Sequence, residues 1–487
     1  MRVGLFAIFL FITTVMLAQQ PPQWVTIKGN APEYADFSLV MQKIENPISG
    51  ELSDLMVISV SDDGSFEQSI EISSITYATI NMGKYEGSIY LEPGQTYELI
   101  LPPFQPRTDA ERFNPYFIPE SIELGIANEE AQGLNRMITD FDSYFSQQYN
   151  ANAVNVFSRG DIRKAQEIID QTDSLFHSIH PYFVKYKQYA YGELLTLAYK
   201  RNKRKAMYFT MKGDSLNFSM PSFQRSFNTL FKSFFTSYFS SKQGDALRDA
   251  YTKTTSFDSL STVFRKDTLF TNPEIAEFVL LKGLYEAFYS GRYDQEQIIE
   301  LFKQAHEQGS TLNIKDFAKS LHRKVTWLRP GSAAPQFTLY RLDGKERSLS
   351  DYEGKFVYLN FMHTSNHTCK EELQLLDILS KDRELRRKLT LVTIIMDEDP
   401  TAAEKLVKDN KYRWDFLHYA AMPKVALDYR IRALPAYFVL DPGQKLRLSP
   451  SPSPGESFIP QFTEAQRKYH YEQLRKEKPK TKSIYDI

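Results

Sequence analysis

The residues best suited to chemistry lie in one stretch, Tyr358-Leu-Asn-Phe-Met-His-Thr-Ser-Asn-His-Thr-Cys-Lys-Glu-Glu372. It follows an apolar run and carries His363, His367 and the thiol of Cys369. Cys369 is the only cysteine among 487 residues. A thiolate can attack a disulfide, but a second thiol is needed to resolve the mixed disulfide that forms. The chain therefore cannot run an intramolecular dithiol–disulfide cycle. Cys369 can be read as a small buried residue, or as a monothiol forming a mixed disulfide or a sulfenic acid, which requires exposure. A metal site from His363, His367 and Cys369 is a third reading. Its spacing is not that of a zinc site, and two loop histidines read more simply as polar surface.

No other constellation stands out. The chain lacks a Gly-rich phosphate loop, a His-Glu-x-x-His and a Gly-x-Ser-x-Gly, so no cofactor is expected. Asp397, Glu398 and Asp399 precede Pro400 and read as a helix start, with acids near the positive end of the dipole. A net charge of −1 gives no electrostatic footprint for nucleic acid. The basic clusters Lys200–Lys205 and Arg475–Lys482 read as a solvated helix face and a frayed terminus.

At the N-terminus Arg2 precedes an apolar run, Val3–Leu17, that turns polar after Ala18. That pattern predicts a secretory signal peptide over residues 1–18, hence export to the periplasm or cell envelope. No later segment approaches the roughly 18 uninterrupted apolar residues of a spanning helix, so no membrane span is expected after signal removal. Composition does not speak to oligomeric state.

The elements that must position Cys369 fall into three parts. Residues 20–104 read as an all-β sandwich-like domain: short strands separated by turn signals such as Asp63-Gly64 and Pro93-Gly94. Residues 105–328 read as helical. Ile162, Ala165, Ile169, Thr172, Phe176 and Ile179 recur at helical spacing, and Asn272-Pro273-Glu274 is a cap, a first-turn proline and an acid. From 329 to 487 strands and helices alternate, as in an α/β sheet covered on both faces. Strands are expected at Phe356–Phe361, Leu391–Met396, Ala436–Leu440 and Lys445–Leu448, and helices at 369–381, 400–409 and 463–475.

Three blocks of this last part carry a resemblance. They are Gly331-x-x-Ala334-Pro335-x-Phe337-x-Leu339; Asp343-Gly344-Lys345 with Leu349-Ser350-Asp351-Tyr352-x-Gly354-Lys355; and Ala433-Leu434-Pro435 with Ala436–Asp441 and Gly443. Together they resemble the TlpA/ResA-like thioredoxin-fold family of exported disulfide reductases, in its multidomain Bacteroidetes-type form. The resemblance implies a thioredoxin-like fold, a role in cell redox homeostasis and a cis proline at Pro435 facing the site. It also places the family's Cys-x-x-Cys on Asn366, His367, Thr368 and Cys369, so that the nucleophile is replaced by Asn366 and Cys369 falls on the resolving thiol. An Asn at a helix N-terminus can cap the helix but cannot attack a disulfide. The expected function is a binding or scaffold module without dithiol exchange, holding an exported or envelope polypeptide in the groove near Pro435. The alternative is a monothiol redox protein acting through Cys369.

Overall fold

The computed structural model of the protein describes residues 21–477, apart from 36, 109–110, 112–116, 201–202, 212–215, 268–269, 271 and 423. The expected signal peptide, positions 201 and 202 of the first basic cluster, and the tail beyond residue 477 lie outside the described residues. The chain divides into two compact units: residues up to Pro106 with Pro119–Ala318, and Arg107–Ile118 with Lys319–Ile487.

Among the described residues the first unit holds nine strands. They are β1 (Gln23–Asn30), β2 (Ser38–Asn46), β3 (Glu51–Ser59), β4 (Ser65–Ile72), β5 (Thr76–Met82), β6 (Tyr85–Leu91), β7 (Thr96–Ile100), β8 (Glu120–Glu123) and β9 (Gly125–Ile126). They form two sheets, ordered β4-β1-β7-β9 and β3-β2-β5-β6-β8. One apolar core, including Val25, Ile27, Met41, Ile58, Ala78, Ile80 and Leu99, draws on both sheets, which makes the arrangement a sandwich. Between β3 and β4, Gly64 takes φ +84°, and Asp63 Oδ1 accepts a hydrogen bond from the Ser65 amide at 2.9 Å. β8 and β9 correct the expectation that strands end near residue 104. At four and two residues they are too short to show a period-2 pattern.

Helices follow from Leu134. The helix Pro273–Tyr289 is buried on nearly every face, and its N-cap Asn272 accepts from the Glu274 amide at 2.8 Å. The expected face beginning at Ile162 is partly corrected. Helix Ile162–Leu175 buries Ala165, Ile168, Ile169 and Thr172, whereas Ile162 and Ile179 are exposed. Phe176 ends that helix, and His180 caps the next one, Pro181–Tyr199. Strands and helices pack within this unit through Tyr90, whose ring meets Tyr182 and Tyr186 edge-on, and through Asn46, which donates to the Phe317 carbonyl at 3.0 Å.

The second unit is built on a seven-stranded sheet. Its strands are β10 (Thr338–Arg341), β11 (Glu346–Ser348), β12 (Phe356–Met362), β13 (Leu389–Ile395), β14 (Asp415–His418), β15 (Ala436–Leu440) and β16 (Leu446–Leu448). Their order is β11-β10-β14-β13-β12-β15-β16. β12 is parallel to β13 and antiparallel to β15, and it is buried along its whole length. Such a continuous apolar run is what a strand covered on both faces requires. Val357, Leu359 and Phe361 enter one core while Phe356, Tyr358 and Met362 enter the other. Helix Phe458–Glu477 starts five residues earlier than expected, because Phe458 stacks on Tyr358 with ring centroids 4.0 Å apart. Such a pair contributes about 0.5–1.5 kcal/mol beyond area burial, enough to fix the first turn.

Candidate functional site

The site lies where β12 ends. After Met362 the chain turns through His363–Ser365 and enters a helix at Asn366. That helix spans His367–Lys381, two residues ahead of the expected start, because Asn366 acts as its N-cap. Asn366 Oδ1 accepts from the Cys369 amide at 3.1 Å, satisfying one of the orphan donors of the first turn. Its Nδ2 donates to the Leu434 carbonyl at 3.2 Å. One side chain thus ties the helix N-terminus to the loop bearing Pro435, where the Leu434–Pro435 bond is cis. Ser449–Pro450 is a second cis bond, for which the sequence held no expectation.

Cys369 is 1% exposed and packs with Met362, Leu373, Tyr358 and Tyr437. Burial pushes its thiol up from 9.0 to about 11; backbone hydrogen bonding at His363 opposes this, and the charges of Asp397 and Glu372 reinforce it. At neutral pH the sulfur is a protonated thiol inside an apolar cluster, a poor nucleophile. His367 and Thr368, between Asn366 and Cys369, are exposed, and the His367 ring sits 3.5 Å from Glu371.

His363 is not the polar surface residue expected from the sequence. It is buried, and its Nδ1 accepts from Ser365 N at 3.1 Å and lies 2.9 Å from Ser365 Oγ. Asp397, read from the sequence as a helix-start acid, is also buried. It accepts from the Thr364 amide at 3.0 Å and from the Thr364 hydroxyl, and so fixes the turn after β12. Asp399 does sit at a helix start, accepting from the Thr401 amide at 3.0 Å just ahead of helix Thr401–Asn410, whose N-cap residue is Pro400. With His363 and Cys369 inside and His367 pointing out, the suggested metal ligands do not converge. Among the described residues no group of three or more His, Cys, Asp or Glu side chains could hold a metal ion.

Pro435 lines a groove of about 830 Å³ together with Thr368, Glu372, Tyr437, Arg432 and the strap Ser449–Glu456. The strap is fastened at several points. Tyr358 Oη donates to the Pro452 carbonyl at 2.7 Å, the Ser451 amide donates to Tyr437 O at 2.7 Å, and Ser453 Oγ donates to Glu372 at 3.1 Å. The sequence reading missed the strap and Glu372. The only signal was the Ser-Pro-Ser-Pro-Ser-Pro run from Ser449 to Pro454, which has no helical or strand period.

A parallel core, a helix capped at the end of its central strand and a cis proline facing that cap define a thioredoxin-fold domain, here with a single thiol. The comparisons agree. Residues 330–449 match the AhpC/TSA family. The thioredoxin-like protein YneN of Bacillus subtilis is 31% identical over 124 residues, covering 24% of this chain and 69% of that protein. The thiol-disulfide oxidoreductase ResA of Bacillus thuringiensis is 28% identical over 120 residues, covering 24% of this chain and 66% of that protein. The solved thioredoxin domain of a thiol-disulfide oxidoreductase from Bacteroides vulgatus is 22% identical, covers 29% of this chain and 97% of that one, and has a TM-score of 0.25. Through its C-terminal domain the chain belongs to the thioredoxin-like, thiol–disulfide oxidoreductase family. Among the described residues no helix is long and apolar enough to cross a membrane.

Proposed function

We propose that this is an exported protein whose thioredoxin-like domain does not perform dithiol exchange and acts as a binding or scaffold module, holding a polypeptide in the groove beside Pro435. The observation that carries the reading is the pairing of Asn366 with Cys369. The helix-cap position, where an attacking thiolate would be stabilised by the dipole, holds a half-buried amide already engaged with Cys369 N and Leu434 O. The surviving thiol is buried and protonated. A monothiol enzyme acting through Cys369 would need that sulfur accessible and ionised, and burial opposes both. Export rests on the apolar N-terminal run, and the groove's role rests on its position against the cap and Pro435.

The test is reduction of insulin by dithiothreitol in the presence of the full chain. The expected result is no acceleration over the uncatalysed reaction. Catalysis that disappears in Cys369→Ala would overturn the proposal in favour of the monothiol enzyme.

A further inference from the structure

We propose that the turn from Val154 to Ile162, with the basic end of helix Pro181–Tyr199 beside it, docks peripherally on an anionic lipid surface. Helix Leu134–Ala151 runs into a π-helical turn, Val154–Arg159, a rare form that recurs at functional sites. Val156 anchors this turn and is fully buried, whereas Val154 and Phe157 are 63% and 55% exposed. Gly160 closes it at φ +69°, and Ile162, 41% exposed, follows. Single exposed apolar residues are ordinary on a protein surface, but three on one short turn call for something to cover them.

Cations surround these residues. Arg159 and Arg163 are exposed on the turn and on the helix after it. Lys200 reaches across from the end of Pro181–Tyr199, its Nζ donating to the Ser158 carbonyl at 2.8 Å, and Lys205 lies over the Tyr199 ring. None of these four forms an ion pair among the described residues. The nearby acids are engaged elsewhere: Asp161 accepts from the Lys164 amide at 3.1 Å, Glu167 pairs with Lys164 at 3.1 Å, and Asp267 with Arg204 at 3.7 Å. Lys200 complements the carbonyl end of its own helix. Arg163, in contrast, stands in the first turn of Ile162–Leu175, a turn without an acid, beside the positive end of the dipole where a cation is unfavourable. An anion arriving from outside would relieve that placement. Apolar tips set among cations match a bilayer surface, where the tips enter the acyl boundary and the cations meet lipid phosphates. A nucleic acid would satisfy the cations but leave Val154 and Ile162 in water.

The test is co-sedimentation with vesicles of phosphatidylglycerol mixed with phosphatidylcholine, against phosphatidylcholine alone. The chain used starts at Gln19, which keeps every described residue and removes the apolar run Val3–Leu17 that could insert by itself. At about five-fold per cation, the four cations should favour the anionic vesicles by about 600-fold at low salt, and added salt should erode that preference. Arg159→Gln with Arg163→Gln should weaken partitioning about 25-fold on the same scale. Phe157→Ser should weaken it about ten-fold by removing a half-exposed ring from the contact. All three side chains face solvent, so melting temperatures should not change. Equal partitioning onto both kinds of vesicle, or onto neither, would overturn the proposal. Binding undiminished in both variants would overturn the placement. Capture of soluble polyglutamate without any partitioning onto vesicles would overturn it in favour of an acidic protein partner.

Discussion

Replacing Asn366 with cysteine asks whether positions 366 and 369 have the geometry of a working dithiol pair. In the reduced state the variant loses two contacts of the asparagine. The cap to Cys369 N is worth about 0.5–2 kcal/mol. The bond to Leu434 O, long at 3.2 Å, belongs at the low end of about 0.5–1.5 kcal/mol. Together they come to about 1–3 kcal/mol, a fall of several degrees in melting temperature for a domain of this size. In exchange, the introduced thiol sits at the N-terminus of a 15-residue helix, where the dipole brings cysteines to about 3.5–7.5. At pH 7.5 it is then at least half thiolate, one helical turn from Cys369, the second thiol that a dithiol cycle needs. Asn366→Cys should therefore be less stable when reduced, regain that stability on oxidation to a disulfide with Cys369, and catalyse insulin reduction that the parent chain does not. Circular dichroism, thermal melts in both redox states and the turbidity assay read these outcomes. A folded variant that forms no internal disulfide would refute the inference that Asn366 and Cys369 occupy working dithiol positions.

Cys369 also predicts a pH signature. A thiol raised from 9.0 to about 11 resists ionising in the folded protein, so its contribution is full below pH 9 and is lost as pH rises from 9 towards 11. At about 1.36 kcal/mol per pH unit the loss reaches up to about 2.7 kcal/mol. Denaturant melts of the chain and of Cys369→Ala should show a stability difference that is flat below pH 8.5 and shrinks above it; a constant difference up to pH 11 would contradict the shift. Asp397→Ala should destabilise the domain by about 1–3 kcal/mol by leaving the Thr364 amide and hydroxyl unpaired, read as a lower urea midpoint at unchanged slope. An unchanged midpoint would show that Asp397 does not hold the turn.

What the sequence made legible follows from how local each signal is. β12 was readable because a doubly covered strand must be apolar at every position, and Asp63-Gly64 marked the turn between β3 and β4 because Gly64 takes φ +84°. The helix beginning after Asn366 was placed two residues late, since a cap depends on where the side chain points. His363 and Asp397 were misjudged for a related reason. Both belong to polar segments by sequence, and only the packing of the β13 end against the β12 end buries them. Tyr437 and Glu372 are 65 residues apart in the chain and share one groove, a proximity that no local pattern carries.

The central claim is that the one thiol of this thioredoxin-like domain is not a working nucleophile, and its rate of labelling by a thiol-reactive disulfide tests that directly. At pH 7.5 an ordinary cysteine titrating at 9.0 is about 3% thiolate, whereas one raised to about 11 is about 0.03%, a hundred-fold slower by ionisation alone before burial is counted. The account predicts that Cys369 in the native chain reacts at least a hundred-fold more slowly than in guanidinium. Native labelling within ten-fold of the denatured rate would contradict it and return Cys369 to the role of a reactive monothiol.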